Sequence, residues 1–148
     1  MSQLSTDYLI ELAKSCILNS NLVDVIRPHL NYSYLQHEAY KHIFKYIFDY
    51  HGANKKSPTI GLLSQNVNSR EALDTIGKIR DVNVYGDQDE IVKTFEKFVK
   101  ESRFVDLHKK TAELWTAGKN DQAMQLLEEE SIAINAFSLR NKLHRRIF

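Results

Sequence analysis

Apolar residues along this chain recur at helical spacing. In "EAYKHIFKYIFDYHG", Tyr40, Ile43, Phe44, Ile47, Phe48 and His51 follow the i, i+3, i+4, i+7 progression that lines one face of a helix. The pattern predicts a core-facing helix closed by Gly52 as C-cap. Upstream, Ser5, Thr6 and Asp7 are candidate N-caps for a helix with the stripe Leu9, Leu12, Ala13, Cys16 and Ile17. "NLVDVIRPHL" reads as a short helix that Pro28 ends or turns. After the basic loop "ANKKSP", Ser57 and Pro58 suit the N-cap and first turn of a helix through "TIGLLSQNV". "SREALDTIGKIRDV" predicts another, with Leu73, Ile76 and Ile79 inward. No strand-like alternation competes with these patterns, so the predicted fold class is all-α.

The pattern changes after "NVYGD". No glycine or proline occurs from Asp87 to Ala117, which predicts one helix of about 30 residues, or about 45 Å. Asp87, Asp89 and Glu90 complement the positive end of its dipole. Gly118 stops it, and Asn120 or Asp121 caps a return helix, giving a long antiparallel hairpin. Each hairpin helix carries two apolar seams. On the first helix they are Ile91, Phe95, Phe98, Ser102, Val105 and Ala112, then Phe104, Leu107, Thr111, Leu114 and Trp115. On the second they are Leu126, Leu127, Ile134 and Phe137, then Met124, Ile132 and Ala136. A two-helix hairpin has one inward face per helix, so the surplus predicts an interface, the alternative being a hairpin that folds back onto the head and buries both faces within one subunit. Candidate contact residues are Phe104, Leu107, Leu114, Trp115, Met124, Leu127 and Ile132, with a second copy of the chain as the expected partner. The expected organisation is a helical head over 1–84, a hairpin over 86–138, and the start of a further helix over 139–148 with the stripe Leu139, Leu143 and Ile147. That last stripe is too short to hold a helix alone and is expected to order only against a neighbour.

Composition narrows the function. Hydrophobic content of 43% is enough for a core, while the formal net charge of +1 argues against autonomous binding to a DNA duplex. The single cysteine, Cys16, excludes an intrachain disulfide and sits among apolar residues, as an inert thiol does. No apolar run approaches membrane-spanning length and no secretory signal opens the chain, so a cytoplasmic location is expected.

Catalytic signatures are missing. "QHEAYKH" approaches the zinc-protease HExxH, but His37 and His42 are five residues apart, roughly 140° around a helix, and cannot grip one ion from the same face. Gly77-Lys78 and Gly118-Lys119 lack the other residues of a phosphate-binding loop. Neither GxGxxG, CxxC nor GxSxG occurs, and the carboxylates, "EEE" at 128–130 included, lie on solvent-facing positions. The expectation is a non-enzymatic interaction module without metal or cofactor.

The chain resembles the N-terminal domain of DnaB-like replicative helicases. The match begins at "ELAKSCILNSNLVDVIRPHL" and continues through "YLQHEAYKHIFKYIFDYHGANKKSPTIGLLSQ", with Leu35, Ile43-Phe44, Gly52 and Thr59 to Leu63 at the family's anchor positions. The long hairpin falls where the family places one, so the likeness covers about residues 5 to 140. It departs in "VNVYGD", where the family's Gly-rich turn and small-residue helix are reduced. The resemblance implies a collar domain: subunits pair through hairpins into a trimer of dimers, the collar contacts primase, and DNA is met only through the full assembly. ATP and Mg would belong to a separate motor domain. The chain is then expected to be an excised fragment or a stand-alone relative of the collar, with "LRNKLHRRIF" as the start of the linker helix. Three other readings compete: a primase's helicase-binding C-terminal domain, a helical initiator or adaptor of DNA replication, and a helical metalloenzyme. An opening helix at the N-terminus favours the helicase side.

Overall fold

The computed structural model describes residues 3–84 and 88–139. These residues form seven α-helices and two 3-10 turns, with no strand among them. The helices are α1 (Thr6–Leu18), α2 (Ser20–Ile26), α3 (Glu38–Asn54), α4 (Ile60–Asn66), α5 (Arg70–Asp81), α6 (Asp89–Thr116) and α7 (Asn120–Ala136). The fold is all-α, with a packed head and an α6–α7 hairpin.

Local chemistry sets most boundaries. Ser5, Thr59 and Ser69 each accept from a backbone N–H three residues on, at 3.2, 3.1 and 3.2 Å, and so cap α1, α4 and α5. Asn19 caps α2, its side chain accepting from Asn21 N–H at 3.0 Å. The chain leaves α2 through a 3-10 turn, Arg27–His29, where Pro28 cannot supply an N–H to a continuing helix. Ser57 does not cap α4. Its hydroxyl donates instead to the carbonyl of Cys16 at 2.6 Å, tying the loop before α4 to α1.

α3 is the centre of the head and packs on α1, α2, α4 and α5. All six residues of its stripe are buried, with Phe44, Ile43 and Ile47 fully enclosed. On α1, Leu9, Leu12, Ala13 and Cys16 are buried as expected. On α5 the inward face turns out to be Ala72, Thr75, Ile76 and Ile79, and Leu73 is 44% exposed. Leu73 lies about 60° from Ile76 around the helix, on the edge of the buried arc.

Gly52 does not end α3. The helix continues to Asn54 and closes on Lys55, a non-glycine residue in the left-handed region at φ 59°. Gly52 meets a close neighbour, because a Cβ there would approach the Arg27 guanidinium to 3.2 Å.

The head does not stop at 84. Ile91, Val92, Phe95 and Val99 of α6 belong to the same hydrophobic core as α1 and α3. The Tyr8 hydroxyl, buried against this helix, donates to the carbonyl of Ile91 at 2.5 Å. Desolvation holds the Tyr8 phenol well above its usual range, with the nearby Cys16 and Glu11 adding to it, so it acts there as a fixed donor. Phe98 meets Tyr34 edge-on, ring centroids 4.9 Å apart. The first half of α6 is therefore a wall of the head, and only its second half belongs to a free-standing hairpin. A boundary at 84–86 cuts through this core.

At the hairpin turn, Gly118 has φ +77°. Its N–H bonds the Trp115 carbonyl at 3.0 Å, and Lys119 N–H bonds Leu114 at 2.9 Å, the paired bonds of a Schellman cap. Two glycine substitutions should therefore differ in sign. Gly118→Ala meets no atom within 4 Å but is forced into a left-handed backbone, at a cost of about 1–2 kcal/mol. Gly52→Ala gains about 1 kcal/mol of helix propensity, and the guanidinium it meets is the movable end of a side chain. Chemical denaturation should show Gly118→Ala less stable than the parent and Gly52→Ala at least as stable.

Candidate protein interface

The hairpin beyond Val99 packs mainly on itself. Leu107 on α6 and Ala123 and Ile134 on α7 are buried between the two helices. Phe104, Thr111, Leu114, Leu126 and Leu127 are half-buried beside that seam. Trp115, Met124 and Ile132 are 55%, 57% and 67% exposed, and Val105 is 42% exposed.

Helical geometry sorts these residues into faces. With Leu107 as the inward direction of α6, Phe104, Thr111 and Trp115 lie about 40–80° to one side at 100° per residue. With Ile134 and Ala123 as the inward direction of α7, Leu127 and Met124 turn toward the same broad side of an antiparallel pair. The opposite side carries Arg103, Asp106 and Lys110 on α6 and Leu126 and Glu130 on α7, which line a shallow cavity there with Leu107 at its floor. Arg103 and Glu130 pair across it at 3.5 Å. The hairpin thus has one charged broad face and one apolar broad face. Phe104, Thr111, Trp115, Met124 and Leu127 supply most of the second, with His108 and Ser131 among them.

The expected contact set divides accordingly. Phe104, Trp115, Met124 and Leu127 share the apolar face. Leu114 is directed toward α7 and flanks it. Leu107 is corrected out of the set, because it is buried within the chain and has no surface left for a partner. Ile132 is exposed but turns toward the back of α7, among Gln125, Glu128 and Glu129, apart from the patch. Of the seams read along α6, Val105 and Ala112 are exposed rather than inward, while Val92, Glu96 and Val99 hold the inward positions.

Leu139 is also corrected. α7 ends at Ala136, and Leu139 lies outside any helix with its side chain fully buried in the head core. Leu143 and Ile147 lie outside the described residues.

The histidines of "QHEAYKH" are surface residues. His37 precedes α3 at its N-cap position without a side-chain cap bond and rests against Tyr40, ring centroids 6.3 Å apart. His42 lies 3.8 Å from Glu38 on the exposed flank. Among the described residues no three His, Cys, Asp or Glu side chains gather as a metal site, and no helix is long and apolar enough to cross a membrane. Comparison of the chain with protein-family models, curated proteins and solved structures finds no match.

Pattern reading alone missed Glu96. Its carboxylate is buried and accepts the Leu139 N–H at 2.7 Å. The available signal was position: Val92, Glu96 and Val99 stand at i, i+4 and i+7, which puts a carboxylate on an apolar face.

The division of faces predicts that two charge substitutions behave differently. Leu107→Asp buries a carboxylate in the hairpin seam and should cost several kcal/mol, with loss of helical ellipticity and faster proteolysis near the tip. Met124→Asp places the same charge on exposed surface and should leave ellipticity, and the melting temperature at concentrations where the parent is monomeric, within experimental error of the parent.

Proposed function

We propose that this chain is a non-catalytic assembly domain of a replicative DNA helicase, the collar of a hexameric ring. In this reading two copies pair through the hairpin face that carries Trp115, Met124 and Leu127, and the head is the part that meets primase. The observation that carries the reading is the apolar broad face of the hairpin, which nothing among the described residues covers, on a molecule whose head is closed by its own core. The resemblance to the DnaB-like N-terminal domain supports it through the order of elements: a small helical head, then a long hairpin.

The physical argument favours a second copy of the chain. Burying each large apolar side chain contributes roughly 1.5–3 kcal/mol, and an isologous contact counts every anchor twice. Trp115 and Met124 are a little over half exposed and Leu127 is half-buried, so each contributes part of that amount toward the orientational cost of association. An unrelated partner would have to supply a matching apolar face of its own.

Trp115 is the chain's one tryptophan and stands on this face, so it reports on cover directly. Its emission should shift to the blue as protein concentration rises, in step with dimer seen by sedimentation. Met124→Asp and Leu127→Asp should abolish both changes while leaving binding to primase intact. A parent chain that stays monomeric at high concentration, or variants that associate as the parent does, would overturn the pairing. Binding to helicase in place of primase would move the chain to the primase side of the replication machinery. The isolated chain should neither hydrolyse ATP nor carry stoichiometric zinc.

A further inference from the structure

Where the N-terminal ends of α1 and α3 meet one side of α5, the head carries a cleft of about 540 Å³, within the ~300–1,000 Å³ range of ligand clefts. Sequence spacing builds its α5 wall: Glu71, Asp74 and Lys78 stand at i, i+3 and i+7, on one side of the helix. Asp7 lines it from the first turn of α1, and His37 from the N-cap of α3. Three carboxylates thus stand with one ammonium, and none of these four groups is in an ion pair among the described residues. The helix dipoles account for Asp7 and Glu71, which are first-turn residues of α1 and α5. Asp74, further along α5, has no such reason to be acidic.

Tyr40 and Thr75 form the buried floor. The Thr75 hydroxyl donates to the Glu71 carbonyl at 3.0 Å. The Tyr40 hydroxyl has no hydrogen-bond partner among the described residues, although the residue is only 5% exposed. It is not sealed in the core but opens into the cleft. Burial raises its phenol above the usual range and the nearby Asp7 adds to this, so the hydroxyl keeps its proton. Buried polar groups are ordinarily bonded, so an unbonded hydroxyl at the floor of an acidic cleft is a contact left for a ligand to make.

We propose that this cleft binds an arginine side chain carried by a basic segment of a partner protein. The balance of charge selects a cation. Among the described residues no three His, Cys, Asp or Glu side chains come close enough to hold a metal ion, these included, so the carboxylates are spaced for something larger than a bare ion. A guanidinium is planar and presents its N–H donors as a fork, which serves the Tyr40 oxygen and carboxylates on two helices from one position. An ammonium gathers its donors on a single nitrogen and is more strongly hydrated, so it suits a floor made by a buried ring less well. The inference stands apart from the helicase reading, since neither the hairpin face nor primase enters it.

Amide spectra of the intact, isotope-labelled chain, titrated with the blocked tripeptide Gly-Arg-Gly, test the cleft. The amides of Asp7, Tyr40, Asp74 and Thr75 should shift and saturate at millimolar peptide, since one side chain supplies few contacts. The same peptide with citrulline in place of arginine is neutral but alike in shape, and should bind at least about tenfold more weakly. The lysine peptide should fall between the two. Asp74→Asn changes an exposed residue and should weaken binding about tenfold, the range of a hydrogen bond to a charged group. Tyr40→Phe keeps the buried ring and should weaken binding about threefold. Because its hydroxyl holds nothing in the free chain, Tyr40→Phe should also leave the melting temperature unchanged, which a structural hydroxyl would not. Glu101→Gln, at an exposed position of α6, is the control and should bind as the parent does. Magnesium chloride at the same concentration should give no saturating shift at these amides. The proposal is overturned by citrulline or lysine peptides binding as tightly as the arginine peptide, or by saturating shifts that lie elsewhere. Unchanged affinity in either cleft variant, a lower melting temperature for Tyr40→Phe, or saturable magnesium binding would overturn it equally.

Discussion

One helix, α6, has to satisfy two different surroundings, and the rest of the molecule depends on how it does so. It is 28 residues long, about 42 Å, and no glycine or proline interrupts it. Over its first three turns it is a wall of the head, with Ile91, Val92, Phe95 and Val99 in the common core. Beyond Arg103 it has α7 for company and little else. Phe95, fully buried, and the Tyr8 hydroxyl on the Ile91 carbonyl hold the inner half in place. A helix is stiff over this length, so anchoring one half aims the other. The hairpin tip is thereby projected from the head, and its apolar broad face is left without cover from the other described residues.

That constraint separates what could be read from the pattern of residues from what could not. The α3 stripe was legible position by position because the helix is enclosed on one whole face, so every apolar residue of the stripe has a place to go. The hairpin turn was legible because Gly118 is required by a left-handed backbone. Other signals misled for identifiable reasons. Gly52 is a common helix-ending residue, yet here it lies inside α3, close to the Arg27 guanidinium, and Lys55 takes the left-handed position. Ser57 looks like a cap but has a carbonyl of α1 within reach. Leu139 looks like the next position of a helix and instead folds into the head. In each case the deciding partner is far away in sequence.

The candidate interface was half legible. Doubled apolar seams correctly implied that the hairpin carries more apolar surface than its own two faces can bury. Periodicity alone could not say which seam turns inward, because that depends on how α6 is rotated by its anchorage in the head. With the rotation fixed, Leu107 goes inside, Ile132 goes to the back, and Trp115, Met124 and Leu127 share a face. The same rotation brings Glu96 under the returning chain, where its carboxylate meets the Leu139 N–H. Specificity for any partner of the head has no comparable apolar marker in the described residues: its grooves are lined by mixed polar and charged side chains.

The central claim is that the hairpin tip is completed by a second copy of the chain. Hydrogen–deuterium exchange measured over a wide range of protein concentration tests it most directly, because head and tip are followed in one experiment. Amides of 104–127 should gain protection as concentration rises, and those of α3 should not change. Tip protection that is independent of concentration would contradict the account and leave the apolar face of the hairpin without a second copy to cover it.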